Sequence, residues 1–153
     1  TRNFELSDSE GKQFGRAVSQ WCVIDFEKRM PVSLEEVEHL FTDKFCDEPS
    51  PCEAPRKVRG IEPSLTRKHE VRYSDIDFNR HVNTLRYIDL IFDALPLERV
   101  EGNNGLRIDL NFIAEARYGD TLTVGCLSDD NVWQFEVSSD GGKVLCRAKI
   151  EFK

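Results

Sequence analysis

The sequence contains little that would indicate a membrane segment, a metal site or a nucleic-acid partner. Its apolar runs are too short to span a bilayer, so we expect no membrane insertion. Its five cysteines are scattered at spacings that do not fit a zinc site, and we expect no metal and no cofactor. A net charge of −7 argues against general nucleic-acid binding. The odd number of thiols favours a reducing compartment, the cytoplasm.

The single methionine, Met30, lies well inside the chain, and the first residues already have the pattern of a strand. We therefore interpret the chain as a fragment or a processed form of a longer protein. Its 153 residues and 39% apolar content suit one domain, or one domain with part of another.

The first forty residues have the pattern of two strands and a short helix. Apolar content predicts strands over 2–6 and 13–26, and the second ends in an almost continuously apolar run, consistent with a strand buried on both faces. Ser33 and Glu36 form a capping-box pattern, which predicts a helix from there to about residue 41.

Prolines are concentrated in the middle of the chain. Four prolines and many charges mark residues 43–66 as a linker. We therefore divide the chain into a first segment, 1–42, and a second domain, 67–153.

The second domain has the pattern of one helix among strands. A strand from 69 to about 73 precedes a helix over 82–95, whose apolar residues recur at three- and four-residue spacing (Leu85, Ile88, Ile91, Phe92 and Leu95). Alternation then predicts four strands, within 106–112, 122–126, 133–137 and 144–152. This pattern indicates an α+β unit whose antiparallel sheet covers its helix.

The most informative segment leads into that helix. Asp75, Asp77, Asn79, His81 and Asn83 occupy alternate positions, which places them on one side of an extended segment. Backbone N–H groups at the helix start are suited to bind a developing negative charge. A carboxylate, an amide and an imidazole beside such a site point to acyl-group hydrolysis.

Structural explanations of the same residues stay open. Asp77, Asn79 and Asn83 are also good capping residues, and a lone histidine such as His81 is more often structural than catalytic. Glu115 by itself has the pattern of a solvated carboxylate at a strand end. A metal bound by Asp77 and His81 lacks a third ligand at suitable spacing. We interpret His39 and His69 as structural.

The central segment resembles a known family. Residues 73–87 resemble the signature of hotdog-fold thioesterases, and Asp77-x-Asn79-x-His81-Val-Asn83 resembles the active-site segment of the bacterial branch of acyl-acyl carrier protein thioesterases. The resemblance implies a hotdog fold, in which an antiparallel sheet wraps around a central helix.

Two further segments resemble the same family. Residues 111–120 resemble its second active-site region, with Glu115 in the acidic position, and residues 8–34 resemble the end of its first hotdog repeat. The resemblance therefore implies one complete C-terminal hotdog preceded by the last strands of an N-terminal hotdog.

The implied activity is hydrolysis of acyl-acyl carrier protein, which releases free fatty acid and terminates fatty acid synthesis. Asp77 or Glu115 would activate water, and Asn79 and His81 would position it. The N–H groups at the helix start, those of Val82 and Asn83, would hold the oxyanion.

One departure from the family limits the catalytic mechanisms that this chain could use. Plant members carry cysteine directly after the acidic residue, and Ala116 stands there in this chain, so a cysteine nucleophile is excluded at that position. Two alternatives stay open: an acyl-coenzyme A thioesterase of the same fold, and a non-catalytic acyl-binding module.

Residues 55–72 are basic, with a balance of +4 that leaves −11 for the rest of the chain. Composition alone favours a solvated linker. An acyl carrier protein is acidic, however, so the resemblance makes these cations candidates for docking it: Arg56, Lys57, Arg59, Arg67 and Lys68. The resemblance also implies pairing with a first hotdog repeat, with a homodimer as the alternative.

Overall fold

The computed structural model describes residues 1–25, 27–28, 30–40, 48–102 and 104–153. It divides into two compact units, 1–55 and 56–153. Within the described ranges, no helix is both long enough and apolar enough to cross a membrane. The predicted end of the first helix, at about residue 41, and the predicted start of the linker lie outside the described residues.

The first unit contains a hairpin and one helical turn. β1 (Arg2–Ser7) pairs antiparallel with β2 (Gln13–Ser19). α1 (Leu34–Val37) follows Ser33, as predicted, but the Ser33 side chain makes no capping hydrogen bond. Instead, the Glu36 N–H donates to the Ser33 carbonyl at 3.2 Å.

The predicted strand over 13–26 is too long. β2 ends at Ser19, and Asp25 turns the chain because its carboxylate accepts the N–H groups of Glu27 and Lys28 at 2.9 and 2.7 Å. Trp21 is 66% exposed within the chain, so the apolar run is not buried on both faces either.

The second unit is built on a five-stranded antiparallel sheet. Its strands are β3 (Leu65–Glu70), β4 (Leu106–Phe112), β5 (Thr121–Asp129), β6 (Val132–Ser139) and β7 (Val144–Phe152), in the order β3-β5-β6-β7-β4. A 3₁₀ turn (Tyr73–Asp75) leads to α2 (Thr84–Phe92), and α3 (Leu97–Glu101) follows it. The four strands predicted after the helix and the α+β hotdog fold are confirmed.

α2 packs its buried stripe onto one face of this sheet. Tyr87 and Ile91 of α2 and Leu95 just after it are each less than 8% exposed, and the burial of Ile91 or of Leu95 contributes roughly 1.5–3 kcal/mol. Leu85, predicted to belong to this stripe, is 64% exposed. The helix is shorter than the predicted 82–95. It begins at Thr84 because the Asn83 side chain caps it by accepting the Leu85 N–H at 2.9 Å, and it ends at Phe92.

The opposite face of the sheet binds residues 56–64. The Arg56 N–H donates to Asp109 at 3.1 Å, and the buried Val58 donates its N–H to Asn111 at 2.7 Å. Farther along, Pro63 lies so close that a Cβ on Gly125 would come within 2.9 Å of it. This part of the chain is therefore fixed to the sheet rather than forming a solvated connection. The division into 1–42, 43–66 and 67–153 stays a prediction.

β3 begins earlier than predicted. The strand starts at Leu65 rather than at His69, because its backbone pairs with β5 from Cys126 to Thr121. The sequence of β3 alternates poorly between apolar and polar residues, so its pairing partner determines its position.

Candidate active site

The polar segment between the 3₁₀ turn and α2 forms a closed loop. Ile76 and Val82 make an antiparallel bridge, and the Asp77 N–H donates to the His81 carbonyl at 2.9 Å. Arg80 has a φ of 63°, which reverses the chain direction. The prediction that alternate residues lie on one side of an extended segment is therefore wrong, since residues 77–81 form a turn.

Asp77 stabilises this loop directly. Its Oδ1 accepts the Asn79 N–H at 2.8 Å and the His81 N–H at 3.4 Å, an arrangement that follows from the short aspartate side chain. Asp77 therefore stabilises the turn of residues 77–81, but it does not cap α2, whose capping residue is Asn83. Asn79 is exposed at the tip of the loop.

The structure brings His81 and Glu115 together. His81 Nε2 lies 3.3 Å from Glu115 Oε2, and the two side chains are 23% and 65% exposed. The backbone explains this contact, because the Val82 N–H donates to the Ala116 carbonyl at 2.9 Å and His81 forms a bridge with Arg117. The segment after β4 therefore runs antiparallel beside the loop. A carboxylate and an imidazole at this distance can exchange a proton.

The two N–H groups predicted to hold an oxyanion already have acceptors. The Val82 N–H donates to Ala116, and the Asn83 N–H donates to the Asp75 carbonyl at 2.8 Å. They are therefore not available for an oxyanion in this conformation. The Thr84 N–H, at the first position of α2, donates to no acceptor among the described residues.

A buried cluster next to the loop escaped the sequence analysis. Asp75 is 5% exposed, and its Oδ2 lies 2.8 Å from His69 Nε2 and accepts the Arg72 N–H at 2.8 Å. Arg86 approaches Asp75 Oδ1 at 3.4 Å. Burial raises the pKa of Asp75, but these partners outweigh it and hold the pKa below its usual value. No pattern links His69 to Asp75 in sequence; the 3₁₀ turn that follows β3 places Asp75 beside His69.

The two cysteines in the sheet of the second unit are unsuited to act as nucleophiles. Cys126 and Cys146 lie in the buried core of the sheet, where burial raises the pKa of both, that of Cys146 to about 12. Both therefore stay protonated and are poor nucleophiles at neutral pH. Among the described residues, no group of histidine, cysteine and carboxylate side chains is arranged to hold a metal ion.

The cations predicted to dock a carrier protein occupy different surroundings. Arg67 and Lys68 are neighbours in β3 and point to opposite faces, Arg67 to the Asp93 carbonyl and Lys68 to Asp140 at 3.3 Å. Arg56 pairs with Glu151 at 3.2 Å.

Lys57 and Arg59 differ from these three. Both are exposed, and neither has an ion-pair partner within the described part of the chain. They flank Val58, whose side chain is buried and whose N–H is bound to Asn111. Their backbone is therefore fixed while their charges stay accessible.

Comparison with known proteins extends these observations. The family model of the acyl-ACP thioesterase C-terminal domain matches residues 59–153. A chloroplastic acyl-(acyl-carrier-protein) hydrolase of Cuphea viscosissima is 24% identical over 151 residues, which cover 95% of this chain and 35% of the relative. A chloroplastic palmitoyl-acyl carrier protein thioesterase of Gossypium hirsutum is 28% identical over 139 residues, 85% of this chain and 33% of the relative.

Solved structures agree with this assignment. The crystal structure of an acyl-ACP thioesterase from Bacteroides thetaiotaomicron superposes with a TM-score of 0.80 at 35% identity, covering 99% of this chain and 61% of that chain. A 12:0-ACP thioesterase from Umbellularia californica shares the fold, with a TM-score of 0.76 at 20% identity and the same coverage of 99% and 61%. The chain spans about a third of the length of the curated relatives it matches. Since the family model covers residues 59–153 of 153, the chain belongs to the acyl-acyl carrier protein thioesterase family.

Proposed function

We propose that this chain carries the active site of a thioester hydrolase that releases free fatty acid from acyl-acyl carrier protein and so terminates fatty acid synthesis. The observation that supports this most directly is the contact of His81 with Glu115 at 3.3 Å. The family membership supports it independently, as do relatives whose names describe hydrolysis of acyl carrier protein thioesters.

Glu115 is the proposed general base. Its carboxylate is largely exposed and contacts His81, whereas one oxygen of Asp77 is occupied by two N–H groups of the loop. A water molecule gives its proton to Glu115 as its oxygen attacks the thioester carbonyl carbon. The carbon–sulfur bond then breaks, and the His81–Glu115 pair returns the proton to the departing thiolate. The products are a free fatty acid and the carrier-protein thiol.

The developing oxyanion requires donors other than those of Val82 and Asn83. In our proposal, the Asn79 side-chain amide at the loop tip and the Thr84 N–H provide them. Asn79 is exposed, and the N–H groups of the first turn of a helix carry partial positive charge. Asp77 holds the loop that presents Asn79 and His81.

The proposed partner is an acyl carrier protein bearing its acyl chain. Lys57 and Arg59 supply the accessible positive charge expected of a docking surface for an acidic protein. Arg56, Arg67 and Lys68 are weaker candidates because each already has an intramolecular partner. Pairing with a first hotdog repeat, or formation of a homodimer, is part of the same proposal.

A reducing location, the cytoplasm, is also proposed. It is supported by the thiols of Cys22, Cys52, Cys126 and Cys146, all of which are free.

The decisive experiment offers the full-length protein a series of acyl carrier protein and coenzyme A thioesters with short, medium and long chains. Thiol release is followed by reaction with a chromogenic disulfide. We expect release from carrier-protein substrates, and the absence of release across the series would overturn the proposal. Release from coenzyme A substrates alone would favour the acyl-coenzyme A thioesterase.

The non-catalytic alternative needs its own comparison. If the parent protein bound acyl chains without turnover, and if Asp77→Ala and His81→Ala bound them equally well, the protein would be an acyl-binding module.

A further inference from the structure

Tyr87 carries a hydroxyl that the proposed mechanism does not use. The residue lies four positions after the cap residue Asn83 on α2 and is 4% exposed. Its hydroxyl oxygen is buried, and no described residue forms a hydrogen bond of normal geometry with it. A buried hydroxyl without a partner destabilises a fold, whereas phenylalanine would fill the same space without that cost. The presence of tyrosine rather than phenylalanine at this position therefore needs an explanation in the surrounding residues.

The hydroxyl lies beneath the segment that carries Glu115. Tyr87, Val82 and Ala116 belong to one buried cluster. Burial raises the pKa of Tyr87 to about 12, the Ala116 backbone opposes this rise as a hydrogen-bond donor, and Cys146, Asp120 and Glu115 add to it. The Tyr87 side chain therefore lies in the core beside the segment that runs from Phe112, the last residue of β4, to Ala116.

That peptide has an N–H group in need of an acceptor. Ala116 is 2% exposed, and its N–H donates to no acceptor within the described ranges. Buried backbone N–H groups are almost always hydrogen-bonded in native proteins. The donor of Ala116 and the oxygen of Tyr87 are thus two buried polar groups on adjacent elements, each without another partner.

We propose that Tyr87 is a positioning residue for Glu115, because its hydroxyl oxygen serves as the acceptor of the Ala116 N–H. This inference rests on the proposed function. The Ala116 carbonyl is already held by the Val82 N–H at 2.9 Å. With its N–H held as well, Ala116 is fixed from both sides, and the preceding side chain of Glu115 is kept within 3.3 Å of His81.

The Tyr87 ring is well placed for this role. It contacts Phe112 edge-on, with ring centroids 6.1 Å apart and planes inclined by 63°. Phe112 is the last residue of β4, directly before the segment that leads to Glu115. The ring therefore contacts one end of the short segment whose other end the hydroxyl is proposed to hold.

The test compares Tyr87→Phe with Tyr118→Phe in the full-length protein. The first change removes the hydroxyl and keeps the ring and its contact with Phe112. The second makes the same chemical change at a side chain that is 67% exposed in the same segment. Hydrogen–deuterium exchange over residues 113–119 measures how well the Ala116 N–H is protected, and it does not depend on activity. Steady-state kinetics and the double variant Tyr87→Phe/Glu115→Gln report the effect on Glu115.

In Tyr87→Phe we expect exchange over 113–119 to be at least about threefold faster, and kcat to be about tenfold lower, with KM nearly unchanged. The double variant should be no slower than Glu115→Gln alone, because both changes remove the same function. Tyr118→Phe should match the parent in exchange. Unchanged exchange in Tyr87→Phe would overturn the inference, as would an unchanged kcat or losses that multiply in the double variant. A parent without thioesterase activity would defeat the proposed function, and exchange would still decide the contact.

Discussion

Glu115 Oε2 lies 3.3 Å from His81 Nε2, although the two residues are 34 positions apart in the sequence. Their backbones are joined first, by the bond from the Val82 N–H to the Ala116 carbonyl. This backbone bond holds the two segments next to each other, and the contact between the two side chains follows from it. The exposure of Glu115, 65%, leaves its carboxylate accessible to a substrate and to water.

Replacing Glu115 by glutamine tests its role as base. The amide keeps the size of the side chain and a polar contact with His81, but it cannot accept the proton of water at neutral pH. We expect kcat for acyl carrier protein thioesters to fall by about a hundredfold or more, with the unfolding midpoint unchanged because Glu115 is exposed. Glu98→Gln, at an exposed glutamate on α3, is the matched control. Retention of more than half of the parent activity in Glu115→Gln would assign the base to another residue.

Asp77 can be tested for a structural role against a catalytic one. Asp77→Asn keeps an oxygen for the N–H groups of Asn79 and His81, whereas Asp77→Ala removes it. If Asp77 mainly holds the loop, the asparagine variant keeps most of the activity. The alanine variant should then lose activity together with about 1 kcal/mol of stability. Equal inactivation of the two variants, with equal stability in urea denaturation, would show that the negative charge of Asp77 is needed for chemistry.

The acid stability of the second unit should depend on Asp109. This residue is 3% exposed, Arg107 binds it through two N–H groups at 2.9 Å, and the Arg56 N–H donates to it at 3.1 Å. Burial raises the pKa of Asp109, but these donors outweigh it and hold the pKa below its usual value. The folded state therefore favours the ionised carboxylate. Its stabilisation is present above the unfolded pKa of about 3.9 and is lost as pH falls through the lower, folded pKa.

We therefore expect the free energy of unfolding to decrease below about pH 4, and Asp109→Asn to reduce that dependence. At neutral pH the same variant should be less stable by about 1–3 kcal/mol, because Arg107 loses its anionic partner. Urea denaturation from acid to neutral pH measures both effects. Asp129→Asn, at an exposed aspartate at the end of β5, should leave the pH profile unchanged. An identical acid slope in Asp109→Asn and the parent would exclude Asp109 as its source.

The parts of the fold that could be predicted from sequence are those with one buried face. From Cys146 onward β7 alternates, because Cys146, Ala148 and Ile150 belong to the core cluster that includes α2 residues while the residues between them face the other side. β3 has no such signal, since it lies at the edge of the sheet and its bounds depend on pairing with β5. The strand predicted over 13–26 was too long because the hydrophobicity of the run after Ser19 indicates burial, whereas the turn at Asp25 depends on local hydrogen bonds.

The candidate site, like the fold, could be predicted from sequence only in part. Spacing selected His81 as a candidate and the family resemblance selected Glu115, but neither gave a means of placing the two side chains side by side. The contact of His69 with Asp75 and the buried hydroxyl of Tyr87 were missed because each depends on packing between elements. In sequence, an aromatic residue on an amphipathic helix indicates only the core.

Charge reversal at Lys57 and Arg59 tests the docking surface. Both side chains are exposed beside the fixed backbone of Val58, and their charges have no ion-pair partner among the described residues. If they attract an acidic carrier protein, Lys57→Glu/Arg59→Glu should raise KM for acyl carrier protein thioesters by about tenfold, most strongly at low ionic strength. kcat should stay near that of the parent, because neither residue contacts the His81–Glu115 pair.

Lys153→Glu, a reversal at another exposed cation, is the control, and coenzyme A thioesters of the same acyl chain are the second reference. Parent-like KM values on carrier-protein substrates at low salt would place the docking surface elsewhere. An equal rise in KM on both substrate types would instead mean that the changes disturb the site itself.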